Sequence, residues 1–190
     1  MAQRKLGVRA ARAEAQEFLG TRLPAEFPEG ELQLLDRSCI EILVAERGPH
    51  LRLSRAALVA PDAIWAVASI SVESCAGHFE RRPVIHLAQM CECAMQAALL
   101  VTAANVNYET VAPILVGTGD SRALAKTLLE PPLTLLVHAQ KIREKLGVMF
   151  VVNSKIFANA SLAARLDRVN FVLLPKSELG VSINRAEARQ

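Results

Sequence analysis

His78, in the tripeptide Gly77-His78-Phe79, and Glu92, fourteen residues later, are the two groups in this chain best suited to moving protons. Glu92 lies in an unusually apolar segment, Pro83 to Ala104, whose first polar residues are His86, Gln89, Glu92 and Gln96. Their spacings of three, three and four set all four on one face of a helix. A carboxylate in so apolar a helix is costly to bury unless a partner satisfies it or a reaction uses it. An imidazole and a helix-borne carboxylate make a general acid/base pair. The pairing predicts an enzyme.

Each of these residues also has a plain structural reading. A histidine after a glycine is ordinarily structural or at the surface. Glu92 alone satisfies a backbone group or a partner arginine. Gln89 and Gln96 tie a buried helix to neighbouring backbone. His86 is either a second polar group of the site or simply the residue at the helix entrance. His50 and His138 have no chemical context and read as structural.

The elements that must hold these groups follow from the pattern. Residues 2–20, rich in arginine, alanine and glutamate, predict a helix packing Leu6, Phe18 and Leu19 on the body. Thr21 to Gly30 holds Pro24, Pro28 and Gly30 and reads as a connection. Glu31 to Glu46 and Leu51 to Val59 are strand-like or mixed, and Ile64 to Val72 is a β-branched strand ending just before the histidine. After the apolar helix, predicted over 84–104, come strands at 114–116, 133–140, 147–152, 156–162 and 169–174. Asn153-Ser154 is the expected turn between the third and fourth of these. One buried helix among strands reads as an α+β fold with an antiparallel sheet wrapped around it. The organisation is a helix and connection over 1–30, one domain over 31–175, and a tail over 176–190.

Composition narrows the classes. A chain of 190 residues is one domain able to bury a core without disulfides, and at 52% hydrophobic and 4% aromatic that core is aliphatic. The net charge of +3 forms no long basic stripe, and few aromatics are present to stack on bases, so nucleic acid is not an expected partner. Cys39, Cys75, Cys91 and Cys93 read as buried, reduced thiols. Cys91 and Cys93 flank Glu92 on different sides of a helix, a poor metal geometry. No metal or cofactor is expected. The apolar run at 97–101 is too short to cross a membrane, and the charged N-terminus lacks the pattern of a secretory signal. The expectation is a cytoplasmic protein with no membrane association.

From Ala66 to Gln96 the sequence resembles the hotdog-fold 3-hydroxyacyl-acyl carrier protein dehydratases. The residues that carry the resemblance are Gly77-His78-Phe79, Arg82-Pro83, Glu92 and Gln96, all at the family's offsets. Leu34-Leu35-Asp36-Arg37 looks like its early Leu-Asp-Arg segment, and Gly119-Asp120-Ser121-Arg122 like part of its second half. Two departures stand out. Glu80-Arg81 replaces a Pro-Gly pair, and His86-Leu87 replaces the Pro-Gly that opens the helix, which crowds the substrate's approach.

The resemblance implies dehydration of a 3-hydroxyacyl thioester, carried on acyl carrier protein or coenzyme A, to a trans-2-enoyl thioester in fatty acid or polyketide-type metabolism. His78 and Glu92 are the implied catalytic pair, with Phe79, His86, Leu87 and Gln96 against the substrate. It further implies a homodimer in which His78 and Glu92 meet across the interface. Two alternatives stay open: a hotdog acyl thioesterase, in which Glu92 activates water or holds the acyl group, and a non-catalytic acyl-binding or structural subunit.

Overall fold

The computed structural model of the protein describes residues 11–44, 51–59, 62–75, 83–103, 110–125 and 129–177. Its first half contains α1 (Ala11–Leu19), β1 (Leu32–Leu35), α2 (Arg37–Leu43), β2 (Leu53–Val59) and β3 (Ala63–Ile70). A short 3-10 turn at Glu73–Cys75 closes β3, and α3 (Leu87–Ala103) follows. Five strands follow: β4 (Val111–Gly117), β5 (Ser121–Ala123), β6 (Leu133–Lys145), β7 (Met149–Ala158) and β8 (Ser161–Pro175).

The strands form one antiparallel sheet in the order β1-β2-β3-β6-β7-β8-β4, with β5 also paired to β8. α3 packs against β2, β3, β6, β7 and β8. Its helical surface is apolar almost all round, and the residues from Gln96 to Ala103 are buried without exception. Ile64, Ala66, Ala68 and Ile70 of β3 join the core around α3, together with Leu135, Val137 and Ala139 of β6. A fully buried side chain the size of Leu100 or Ile64 contributes about 1.5–3 kcal/mol.

The opposite face of the sheet is covered as well. Trp65, Val67 and Leu136, of the alternate parity, join Ala11, Ala15, Leu19, Leu23 and Phe27 in a second core under α1. Burial on both faces explains why β3 reads as a nearly continuous apolar run instead of an alternating one. The expected packing of the first helix is present in Leu19, fully buried, and Phe18, partly buried, while Leu6 lies outside the described residues. α1 ends at Gly20, whose left-handed φ of 66° suits glycine. The Phe18 carbonyl there accepts Arg55 Nη1 at 2.6 Å, and a Cβ on Gly20 would meet Arg55 Nη2 at 2.9 Å.

Three expectations need correction. Asn153-Ser154 is not a turn: β7 runs straight through it, and 147–152 and 156–162 are not two separate strands. The ladder slips between Val152 and Ser154, the Asn153 side chain accepts the Arg168 amide at 2.9 Å, and Ser154 is buried beneath α3. The turn falls at Asn159-Ala160, with φ of 50° and 62°, the primed geometry that suits a two-residue hairpin.

The central helix begins at Leu87, later than 84: Val84 to His86 lie before it, and the Ile85 amide donates to the Leu129 carbonyl at 2.7 Å. The strand-like stretch 31–46 divides into β1 and α2 because Asp36 caps the helix, accepting the Cys39 amide at 2.9 Å. Hydrogen bonds from the Cys39 amide and then the Ser38 hydroxyl hold the Asp36 carboxyl below its usual range. Among the described residues no helix is long and apolar enough to cross a membrane.

Candidate active site on the central helix

Glu92 sits in the second turn of α3, on the part of the helix where Cys91, Glu92 and Met95 reach the partly exposed zone. Its Oε2 meets Nε of Arg52 at 3.3 Å, with the two side chains 34% and 25% exposed. The pair is therefore half-withdrawn from water, where an ion pair is screened less than at the surface. Arg52 precedes β2 by one residue, and Gln96, one helical turn after Glu92, accepts its backbone amide at 2.8 Å. Arg37, the first residue of α2, donates Nη1 to the Leu51 and Leu53 carbonyls at 2.9 Å each. Three side chains thus converge on one short piece of chain, and that piece presents Arg52 to Glu92.

Gln89 organises the helix entrance. Its Oε1 accepts the His86 amide at 3.0 Å, the N3-to-N-cap half of a capping box. Its Nε2 donates to the Ser74 carbonyl at 2.7 Å, and the Cys75 sulfur lies 3.5 Å away. His86 occupies the cap position itself, half-buried, and Leu87 is the first helical residue. Gln96 is 3% exposed, with its amide oxygen committed to Arg52. His78 and Phe79, with Gly77 and Arg82, lie outside the described residues, as does His50.

The thiols beside Glu92 are poor nucleophiles. Burial, and then the Glu92 charge, pushes the Cys93 thiol up to about 12. Burial raises Cys91 as well, against a hydrogen bond with Ser121. All four cysteines are free, with Cys75 and Cys93 buried and Cys39 and Cys91 half-buried. Among the described residues no group of three His, Cys, Asp or Glu side chains is gathered in a way that would hold a metal ion. His138 packs flat on Trp65, ring centroids 4.3 Å apart, on the face of the sheet away from α3.

No family model matches the sequence, and no curated protein does. Solved structures are similar in shape. The dehydratase heterocomplex ApeI:P from Xenorhabdus doucetiae aligns with a TM-score of 0.63 at 13% identity, over 76% of this chain and 97% of that one. This chain has the hotdog fold. A thioesterase superfamily member from Thermus thermophilus gives a TM-score of 0.56 at 20% identity, over 69% of this chain and 96% of that one. A mutant thioesterase from Pseudomonas aeruginosa gives 0.57 at 11% identity, over 81% and 99%. Identities this low carry the fold and nothing finer.

Within the hotdog fold α3 is the central helix, and Glu92 is the acidic side chain on its partly exposed flank. Of the residues singled out from the sequence, Gln89 and Gln96 each fasten this helix to backbone from another part of the chain. Arg52 and Arg37 were missed as site residues. The signal for Arg52 was a lone arginine between two leucines, Leu51-Arg52-Leu53, at a strand entrance, and that for Arg37 was its place in Leu34-Leu35-Asp36-Arg37. The plain reading of Glu92 as an acid held by an arginine has its arginine in Arg52.

Proposed function

We propose that this chain acts on acyl thioesters and dehydrates 3-hydroxyacyl thioesters to trans-2-enoyl thioesters. The observation that carries the reading is the Glu92 carboxylate, set on the flank of an otherwise apolar central helix and held by Arg52 through one oxygen only. Its other oxygen has no partner among the described residues. The Gly-His-Phe, Arg-Pro, Glu and Gln residues at family spacing add to it.

In the proposed reaction His78 takes the proton on the carbon alpha to the thioester carbonyl. The electron pair moves into a new double bond as the carbon–oxygen bond at the beta position breaks. Glu92 gives its proton to the departing hydroxyl, which leaves as water. Backbone amides at Phe79 and at the helix entrance near Leu87 stabilise charge on the carbonyl oxygen. His86 is the polar group nearest that entrance, and Gln96 supports the site by holding Arg52. The carrier is acyl carrier protein or coenzyme A, and the aliphatic flank of α3 suits an acyl chain.

The reading includes a homodimer in the cytoplasm. β4 is an edge strand, and its Ile114, Leu115 and Val116 are all exposed. Pairing two such edges about a two-fold axis covers both at once.

Hydrolysis is the second reading: Glu92, with one oxygen held by Arg52, takes a proton from the water that attacks the thioester carbonyl. Purified protein mixed with 3-hydroxyacyl, enoyl and saturated acyl thioesters, on both carriers, separates the readings by product mass. Interconversion of the first two is dehydration, and release of free acid is hydrolysis. Binding without turnover of any of them overturns both.

A further inference from the structure

We propose that Arg52 is the positioning residue of this site, selecting which oxygen of Glu92 does the chemistry. The inference rests on the reading of Glu92 as the proton-transfer group. A glutamate on a helix flank has three side-chain torsions and two equivalent oxygens, so an unheld carboxylate presents either one in many orientations. The Nε–H of Arg52 ends that equivalence by binding Oε2 at 3.3 Å. Oε1, without a partner among the described residues, is the oxygen left to exchange a proton with substrate or water.

The setting of Arg52 is what separates this pair from an ordinary surface ion pair, which contributes little. Its backbone amide is bound by Gln96 at 2.8 Å, and the carbonyls of Leu51 and Leu53 on either side are bound by Arg37 at 2.9 Å. Leu51 and Leu53 themselves are buried in the core around α3. An arginine whose flanking peptide groups are fixed by two other side chains gives up less freedom on engaging its carboxylate. The helix supplies both ends of the arrangement, because Gln96 lies four residues from Glu92 and so on the same face. Guanidinium is the suitable cation, since its N–H groups have fixed directions where an ammonium is a rotating point charge.

The test compares Arg52→Ala, Arg52→Lys and Glu92→Gln in the full chain, with unfolding midpoints measured alongside kinetics on the thioester the parent turns over. A 1 Å error in placing a reacting group costs about 100-fold, so Arg52→Ala is expected to lose about 10- to 100-fold in kcat with little change in KM. Added methylguanidinium is expected to restore part of that loss in Arg52→Ala and none in Glu92→Gln. Should Arg52→Ala fold poorly, Arg52→Lys decides: it keeps the stem and charge but not the directed Nε–H, and a folded Lys variant is expected to fall below the parent.

Parent-like kcat in a folded Arg52 variant overturns the inference. So does a loss that guanidinium leaves untouched and that follows the loss of folded protein. Parent-like turnover in Glu92→Gln overturns the functional reading itself, whatever the Arg52 variants do.

Discussion

The side-chain amide of Gln89 donates to the carbonyl of Ser74 at 2.7 Å, joining the first turn of the central helix to the turn that ends β3. The same side chain accepts the His86 amide at 3.0 Å, so one residue satisfies a backbone group at the helix entrance and another in the turn after β3. Replacing it with leucine keeps bulk and removes both bonds. Gln89→Leu is expected to cost about 1–3 kcal/mol, the usual penalty for leaving a buried polar group unsatisfied, read from urea unfolding. Gln89→Glu retains the acceptor for His86 but sets a carboxylate against the Ser74 carbonyl, and is expected to destabilise as well. Stability unchanged in both variants would show that the bridge is incidental.

How far the sequence revealed this arrangement depends on the range of each contact. The central helix, the strand before the histidine and the covering helix were legible because hydrophobic periodicity is local. Gln89 and Gln96 were legible as ties for the same reason, although their partners were not. Arg52 reaches Glu92 across forty residues of sequence, and no local pattern encodes such a pairing. The mistaken turn at Asn153-Ser154 has a related cause. Two residues of strong turn preference stay in strand because Arg168 and the underside of α3 supply their partners, a tertiary override of local propensity. Leu34-Leu35-Asp36-Arg37 was noticed as a family likeness, and the fold supplies its physical meaning. Asp36 caps α2, and Arg37 grips the chain at Leu51 and Leu53.

His138 links stability to pH. Burial, with Lys155 adding to it against Glu26, pushes its pKa down to about 4 from an ordinary value of 6.5. The unfolded chain therefore binds a proton between pH 6.5 and 4 that the folded chain does not. Stability is full above pH 6.5, falls as pH drops through this window, and levels off below it. The linked loss amounts to about 3 kcal/mol at most. His138→Phe keeps a flat ring on Trp65 without the titration. It is expected to flatten the pH dependence of urea unfolding between pH 4 and 6.5, and an unaltered slope would assign that dependence to other groups.

The exposed edge of β4 makes the oligomeric state testable. Mass measurement in solution at micromolar concentration is expected to give twice the 20.6 kDa chain. Leu115→Lys and Val116→Lys put charge on the edge strand without touching either core, and both are expected to shift the population toward monomer. If the active site is completed across that edge, turnover falls in step with the dimer. A strict monomer with full turnover would remove the dimer from the functional proposal.

The acid/base pair is tested through non-additivity. With His78 as base and Glu92 as acid on one transition state, His78→Ala and Glu92→Gln should each remove a factor of about 10²–10⁴ in turnover. The double variant should lose little more than the worse single variant, because the two groups act on one step. Glu92→Gln is the more informative change: it keeps the size of the side chain and an oxygen able to accept from Arg52, so what it removes is the transferable proton. For a dehydratase both variants lose interconversion of 3-hydroxyacyl and enoyl thioesters. For a thioesterase Glu92→Gln stops release of free acid, while His78→Ala weakens it. A folded double variant that turns over every thioester as fast as the parent would make the pair structural, and Glu92 would then be no more than the anchor that ties α3 to the start of β2.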